Sequence, residues 1–163
     1  MNALVIDIAK YLIIVPVSCA LYVLWKSDKK SRRELLILLI AGGILSLILA
    51  KIGGKIYDDP RPFIKDGVIP LFTASRDNWF PSDHTLLAAF LGFAILFYSK
   101  KLGWAVLIIA ALIGWARVYS GVHHFIDILG SFIIAAAVTG TTYIALREYT
   151  HKSAAEKRES PAE

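Results

Sequence analysis

Long apolar stretches separated by short charged segments dominate the chain. A membrane-spanning helix needs about 20 predominantly apolar residues. Five stretches meet or approach that length, and they cover residues 3–25, 34–51, 82–99, 102–119 and 125–147. Polar residues are sparse inside these stretches and collect between them. The pattern therefore predicts an all-α fold, a polytopic membrane helix bundle with about five transmembrane helices.

The basic residues between the apolar stretches give the bundle an orientation. Cytoplasmic loops of membrane proteins carry an excess of lysine and arginine. Residues of this kind follow the first, third and fifth stretches, and they are Lys26, Lys29, Lys30, Arg32, Arg33, Lys100, Lys101, Arg147, Lys152, Lys157 and Arg158. We therefore expect a plasma-membrane protein with its N-terminus outside, its C-terminus in the cytoplasm, and loop 52–81 on the outer side.

Composition agrees with a single membrane domain. Hydrophobic residues make up 56% of the 163 residues, and the mean hydropathy is +0.59. The net charge of +5 comes from basic residues at the ends of the apolar stretches, so topology explains it better than nucleic-acid binding. Cys19 is the only cysteine, which excludes an intramolecular disulfide. We expect a membrane domain over residues 1–150 and a disordered polar tail over residues 151–163.

The segment 117–127 places charged and polar residues between two apolar stretches. His123 and Asp127 are four residues apart, so on a helix they share a face and the carboxylate can hold one ring nitrogen. Such a contact orients a histidine as a nucleophile or base. His124 points away from His123 on a helix and is the weaker candidate. The alternative is a pair of interfacial histidines, with Asp127 capping a helix and Arg117 reaching the lipid headgroups.

Two further polar clusters fall on the same outer side. Arg61 stands between two prolines, which stiffen the backbone so that the guanidinium can bind an oxyanion through two parallel hydrogen bonds. Ser82, Asp83 and His84 open the third stretch, where free N–H groups and the helix dipole favour an anion. Each cluster has a structural alternative, namely a stiff turn with a solvated arginine and a helix N-cap with an incidental histidine. Asp59, in the first cluster, is expected to be a turn or cap residue.

In this order the three clusters resemble the motifs of a known family, the type 2 phosphatidic acid phosphatase superfamily, which also includes vanadium haloperoxidases. The matching residues are Arg61-Pro62, then Pro81-Ser82-Asp83-His84, then Arg117 followed by His123 and Asp127. The resemblance covers roughly residues 34–147. Asp83 and Phe63 make the chain most similar to bacterial undecaprenyl-diphosphate phosphatases of the bacitracin-resistance type.

The resemblance implies a membrane lipid phosphatase that needs no metal and no cofactor, with its active site at the extracytoplasmic face. His123 is then expected to attack phosphorus and form a transient phosphohistidine, with Asp127 orienting it. His84 is expected to protonate the leaving group. The groups expected to hold the phosphate are Arg61, Arg117, Ser82, the helix start at Asp83, and Lys55.

The substrate implied by the resemblance is undecaprenyl diphosphate, hydrolysed to undecaprenyl phosphate and inorganic phosphate. Phosphatidic acid and phosphatidylglycerol phosphate are alternatives within the same family. Lys55, Lys65 and Arg76 in the outer loop are further cations that favour a diphosphate. A non-catalytic carrier of lipid phosphates is the alternative from another class, but a carrier has no use for an imidazole oriented by aspartate.

Three features depart from the family pattern. A lysine usually precedes the arginine of the first motif by seven residues, but Gly54 stands there and Lys55 is displaced by one. Ala116 replaces the usual serine before Arg117. The chain also shows five apolar stretches where six are typical. One wall of the lipid site is therefore expected to differ or to come from a neighbouring molecule.

Overall fold

The computed structural model describes residues 2–74 and 80–159. The helices in these ranges are α1 (Asn2–Tyr11), α2 (Ile14–Lys26), α3 (Lys29–Ile56), α4 (Pro62–Lys65), α5 (Asp83–Leu96), α6 (Lys100–Tyr119) and α7 (Phe125–Glu159). The described ranges contain no strand, and the all-α prediction is confirmed. The expected boundary between membrane domain and tail, at residue 150, falls within α7. Disorder in residues 151–163 stays a prediction.

Four apolar helical segments are long enough to cross a membrane, and they are Asn2–Lys26, Lys29–Ile56, Lys100–Tyr119 and Phe125–Ser153. The third predicted stretch is shorter than expected, because α5 has only 14 residues. At about 1.5 Å per residue it is roughly 21 Å long, against a hydrocarbon core of about 30 Å. The expected five spans are therefore four long segments and one short apolar helix. The apolar residues left over from the predicted stretch, Phe97 and Tyr98, lie in the turn after α5.

The first span is broken into two helices next to a proline. Pro16 lacks the N–H that would bond to the carbonyl of Leu12, and its ring crowds that carbonyl. The Val15 N–H bonds to Leu12 O instead, at 3.0 Å. Beyond the break, Val5 and Ala9 of α1 pack against α6. The N-terminal helix is thereby brought to the end of α6 that carries Arg117.

Small side chains allow the short helix α5 to lie between α3, α6 and α7. Ala88, Ala89 and Ala94 of α5 are fully buried. At Gly114 of α6, an added Cβ would lie 2.5 Å from Ile128 Cγ2 of α7. Hydrophobic driving force between helices is weak in lipid, so close packing of small residues becomes a main source of association. The outer faces of the long helices expose large apolar side chains, among them Leu47, Ile108 and Ile133.

The helices run back and forth between two ends of the bundle. At one end, Ser82 N bonds to Asp127 O at 3.4 Å and Leu71 N bonds to Ser120 O at 3.0 Å. We call this the site end. At the opposite end, Arg147 of α7 lies 3.7 Å from the buried carboxylate of Glu34 in α3. The polar clusters of the first, second and third motifs all lie at the site end.

Candidate active site

The predicted pair of His123 and Asp127 forms one buried hydrogen bond. His123 Nδ1 lies 3.0 Å from Asp127 Oδ2, and the two residues are 1% and 3% exposed. A carboxylate accepts hydrogen bonds, so Nδ1 carries the proton and Nε2 keeps its lone pair. Burial lowers the pKa of His123 below 6.5, and the hydrogen bond with Asp127 offsets this only in part. A neutral imidazole with Nε2 free to attack is the favoured state near neutral pH.

A tight turn after α6 brings His123 back towards Arg117. Gly121 has φ +68°, in the left-handed region that glycine adopts without strain. Its N–H bonds to Val118 O at 2.9 Å, which closes the end of the helix. The turn places Arg117 Nη2 at 3.3 Å from His123 Nε2.

Arg117 is buried at the end of α6 and holds its donors at the atom that would attack phosphorus. Besides its contact with His123, its Nη1 donates to Ala9 O of α1 at 3.3 Å. Within the described residues its Nε has no hydrogen-bond partner. The guanidinium therefore keeps donor capacity for an oxyanion next to His123. The sequence did not predict the contribution of α1, because a backbone carbonyl carries no sequence signal.

Arg61 enters the same pocket from the loop after α3. It is 4% exposed, and its Nη1 donates to Val122 O at 3.0 Å, one residue before His123. Arg61 also interacts electrostatically with both Arg117 and His123. Two buried guanidinium groups repel each other, and a phosphate dianion between them would replace that repulsion with attraction. The electrostatic energy of the two arginines is therefore more favourable with an anion between them than without one.

The start of α5 is hydrogen-bonded to the catalytic pair through Ser131. Ser131 Oγ lies 2.7 Å from Asp127 O and 3.0 Å from Ser82 O. Ser82 is the N-cap residue of α5, and its Oγ accepts from Thr85 Oγ1 at 3.2 Å. Among the described residues, the side chain of Ser82 makes no capping bond to the first N–H groups of α5. These N–H groups and the Ser82 hydroxyl can therefore serve an anion.

His84 and Asp83 lie on the first turn of α5. His84 is half-buried and interacts electrostatically with Arg117 and His123. Asp83 is exposed and interacts with Arg117. The structure thus brings both predicted residues to the pocket formed by the arginines and His123.

Comparison with known proteins agrees with this arrangement. Residues 33–150 match the family model of the PAP2 superfamily. The chain belongs to the PAP2 superfamily. The predicted family is confirmed, and the protein is a multi-pass membrane lipid phosphatase.

Two curated relatives and one solved structure illustrate the match. The chain is 31% identical over 138 residues to undecaprenyl-diphosphatase BcrC of Bacillus subtilis (strain 168), across 85% of this chain and 71% of the relative. It is 32% identical over 135 residues to the bacitracin transport permease protein BcrC of Bacillus licheniformis, across 82% of this chain and 66% of the relative. The crystal structure of Aquifex aeolicus LpxE has the same fold, with a TM-score of 0.66 and 22% identity, and the match covers 86% of this chain and 84% of that one.

Close backbone contact explains why this PAP2 protein has Gly54 where the family usually has lysine. An added Cβ at Gly54 would lie 2.8 Å from Phe80 O, closer than side chains normally approach a backbone oxygen. Phe80 leads directly into the second motif, so a lysine here would displace the start of α5. Lys55 is exposed in the last turn of α3, and its role in binding phosphate stays a prediction.

The structure also shows the surroundings of Ala116, the second departure from the family pattern, and of Lys65, one of the extra cations. Ala116 is fully buried and packs against α1 rather than facing the pocket. Lys65 was expected to be available to a diphosphate, but its Nζ lies 3.3 Å from Asp59 Oδ1 in an ion pair. Arg76 lies outside the described residues.

A second polar network adjoins the pocket, and the sequence did not predict it. His124 Nδ1 lies 2.8 Å from Asp59 Oδ2, and its Nε2 lies 2.9 Å from Asp66 Oδ2. The His124 backbone N–H donates to Asp127 Oδ2 at 3.0 Å. Asp59, His124 and Asp127 offer atoms within 4.8 Å of one another, as a cation site would, but these hydrogen bonds already account for their approach. Asp59 is 3% exposed and contacts both His124 and Lys65, and its expected role as a turn or cap residue stays a prediction.

Proposed function

We propose that the protein hydrolyses undecaprenyl diphosphate to undecaprenyl phosphate and inorganic phosphate. Similarity to the undecaprenyl-diphosphatase of Bacillus subtilis over most of the chain supports this substrate. The observation that carries the catalytic proposal is the buried hydrogen bond from His123 Nδ1 to Asp127, at 3.0 Å, which leaves Nε2 beside Arg117. A carrier that only holds a phosphate needs the arginines but not this imidazole.

In the first step His123 Nε2 attacks the terminal phosphorus of the diphosphate. A P–N bond forms while the bond from phosphorus to the bridging oxygen breaks, and His84 gives its proton to that oxygen as undecaprenyl phosphate leaves. In the free site, burial and the charges of Arg117 and His123 lower the pKa of His84 to about 4, and the negative charge of the bound diphosphate raises the pKa again so that the ring can carry this proton. Arg61, Arg117 and the N–H groups at the start of α5 neutralise the charge on the transferred phosphoryl oxygens. Asp127 stabilises the positive charge that the ring of His123 gains.

In the second step water attacks the phosphohistidine. His84, now neutral, accepts a proton from the water as the new P–O bond forms and the P–N bond breaks. Inorganic phosphate leaves, and His123 returns to its neutral form with Nδ1–H still donated to Asp127. Each group ends the cycle in the protonation state in which it began.

The proposed orientation places the site end outside the cell, with the N-terminus outside and the C-terminus in the cytoplasm. The basic segments 26–33 and 100–101 lie at the opposite end of the bundle from the site. Their position supports this orientation by the positive-inside rule. Undecaprenyl diphosphate would then reach the pocket from the outer leaflet.

Phosphate release by the purified protein tests the proposal. Undecaprenyl diphosphate, phosphatidic acid and phosphatidylglycerol phosphate are compared at equal surface concentration in detergent, with and without a chelator. We expect the largest kcat/KM with undecaprenyl diphosphate and no effect of the chelator. Faster turnover of phosphatidic acid or phosphatidylglycerol phosphate would contradict undecaprenyl diphosphate as the preferred substrate. Loss of activity on chelation would contradict the metal-free mechanism.

His123→Ala provides the matched control for catalysis. We expect its phosphate release to fall at least about 1,000-fold while lipid binding is retained, because the chemical step loses its nucleophile. Release at the wild-type rate would overturn the role of His123. Lipid binding without release by the wild type would identify a carrier.

A further inference from the structure

The ring of His124 connects two carboxylates that stand on either side of Arg61 in the sequence. Asp59 precedes Arg61 by two residues and Asp66 follows it by five. His124 Nδ1 lies 2.8 Å from the first carboxylate and Nε2 lies 2.9 Å from the second. Carboxylates only accept hydrogen bonds, so both contacts are complete only when both ring nitrogens carry a proton. We call this arrangement the His124 bridge.

The His124 bridge is also connected to His123, the proposed nucleophile. His124 follows His123 directly in the chain, and its backbone N–H donates to Asp127 Oδ2 at 3.0 Å. The same oxygen accepts from His123 Nδ1. Between the bridge and the nucleophile, Arg61 Nη1 donates to Val122 O at 3.0 Å. The bridge therefore joins the loop that carries Arg61 to the turn that carries His123.

We propose that His124, as a doubly hydrogen-bonded imidazolium, is a positioning residue that fixes Arg61 relative to the attacking nitrogen of His123. Transfer of a phosphoryl group depends on the placement of charge around the transferred oxygens, and a shift of about 1 Å can cost about 100-fold in rate. Arg61 sits on a loop rather than on one of the long helices. A loop needs such a fixed point if its arginine is to hold the phosphate at a constant distance from Nε2.

The charges around His124 support the imidazolium form. Asp59 is buried, Asp66 is half exposed and Asp127 is close by, and Lys65 forms an ion pair with Asp59. Burial alone lowers the pKa of His124, but the hydrogen bonds and charges of Asp66 and Asp59 outweigh it and raise the pKa above 6.5. A raised pKa means that the complete bridge is present at lower pH. It loses one donor as the pH rises through that pKa.

Three variants separate positioning from general stability. His124→Ala removes the bridge, Asp66→Asn keeps the side-chain shape and an acceptor but removes one charge, and Asp58→Asn is the matched control. Asp58 is an exposed carboxylate in the same loop. Asp66 has a side chain that is 49% exposed, so its replacement leaves the fold intact even where His124→Ala destabilises it.

We expect His124→Ala to lower kcat about 10-fold to 100-fold while KM changes by less than about threefold, because the bridge acts on placement of Arg61 rather than on lipid binding. Asp66→Asn should lower kcat about threefold to tenfold, and Asp58→Asn should stay within about twofold of the wild type. The double variant Asp66→Asn/His124→Ala should be no slower than His124→Ala alone. Unchanged kcat in His124→Ala, equal effects at Asp58 and Asp66, or additive losses would each overturn the proposal.

The pH dependence gives a readout that a purely structural contact would not change. Removing the charge of Asp66 lowers the pH at which His124 loses its proton, so the ratio of wild-type kcat to Asp66→Asn kcat should pass through a maximum as the pH rises, between the His124 pKa of the variant and that of the wild type. A ratio that stays constant would overturn the charged bridge.

The inference rests on the proposed phosphatase reaction, and the kinetics keep the two apart. Rates are measured with whichever of the three lipids the wild type hydrolyses fastest. If the proposed substrate is wrong, the wild-type protein hydrolyses another lipid faster. If the proposed role of the His124 bridge is wrong, only the rates of the variants differ from those expected.

Discussion

At the scale of single residues, the hydrogen bond between His123 and Asp127 decides which nitrogen can attack. Because Nδ1 is donated to the carboxylate at 3.0 Å, Nε2 is the atom left facing Arg117. The sequence predicted this contact from the spacing of residues on a helix, but His123 lies in the turn before α7, and the contact joins that turn to the first turn of the helix. Its burial and its two neighbouring arginines were not predicted.

The acid side of the pH profile should report the protonation of His123. Burial lowers the pKa of this residue, and attack requires the neutral ring. Above the lowered pKa the neutral form of His123 predominates, and this form is lost as the pH falls through the pKa. We therefore expect the acid limb of kcat/KM, measured between about pH 4.5 and 8, to have its midpoint below the unperturbed value of about 6.5. An acid limb centred above pH 7 would contradict the assignment.

Gly54→Ala should lower both stability and turnover. Alanine normally favours a helix over glycine by about 1 kcal/mol. Here the added Cβ would lie 2.8 Å from Phe80 O, and overpacking of this kind costs about 1–3 kcal/mol. Thermal unfolding in detergent and phosphate release measure the two effects.

Gly140→Ala in α7 is the control for Gly54→Ala, since an added Cβ there meets no atom within 4 Å among the described residues. We expect it to retain activity and to unfold at the wild-type temperature or above. If both alanine variants behave alike, the close approach of Phe80 does not restrict residue 54.

At the scale of helices, the position of α5 depends on its contact with α7. Its first turn supplies His84 and the anion-binding N–H groups, yet α5 is too short to be placed by spanning the membrane. Ser131 of α7 connects Ser82 O with Asp127 O. The hydroxyl therefore sets the distance between the helix start and the catalytic pair.

Ser131→Ala should slow catalysis with little effect on folding. The lost hydrogen bond is worth about 1 kcal/mol, but the shift it allows at the start of α5 should lower kcat about 10-fold. Thr139→Val is the matched control, because Thr139 is buried in the same helix and bonds to Ala135 O at 2.6 Å away from the site. The control should stay within about twofold of the wild type. Equal rates for the two variants would exclude a role for Ser131 in placing α5.

At the scale of the whole molecule, the proposed orientation can be measured by labelling. In a Cys19→Ala background, Thr73→Cys places a thiol in the loop at the site end and Lys29→Cys places one at the opposite end, both at exposed positions. A membrane-impermeant maleimide applied to intact cells should label only the cysteine at residue 73. The cysteine at residue 29 should react only after permeabilisation, and the reverse result would invert the topology.

The sequence predicted the class of fold and named the residues of the candidate site, but it did not predict most of the contacts that hold them in place. The apolar stretches were located because hydropathy is a local property. The third stretch is predicted as a full span because the apolar residues Phe97 and Tyr98 look like a continuation of the helix, but they form the turn after α5. Gly54 could be seen as a departure but not explained, since the explanation is the backbone of Phe80.

By itself the sequence determined the helical membrane class and the order of the three motifs, because hydropathy acts over a few residues. It also named His123 and Asp127 as a pair, although the turn before α7, and not a shared helix, brings the two side chains together. The tertiary structure alone decided which distant groups meet. Arg117 contacts Ala9 from 108 residues away, and His124 contacts Asp59 from 65 residues away. Such contacts depend on how close and at what angle the helices pack, and the small residues that set this packing carry no signal for the polar groups it joins.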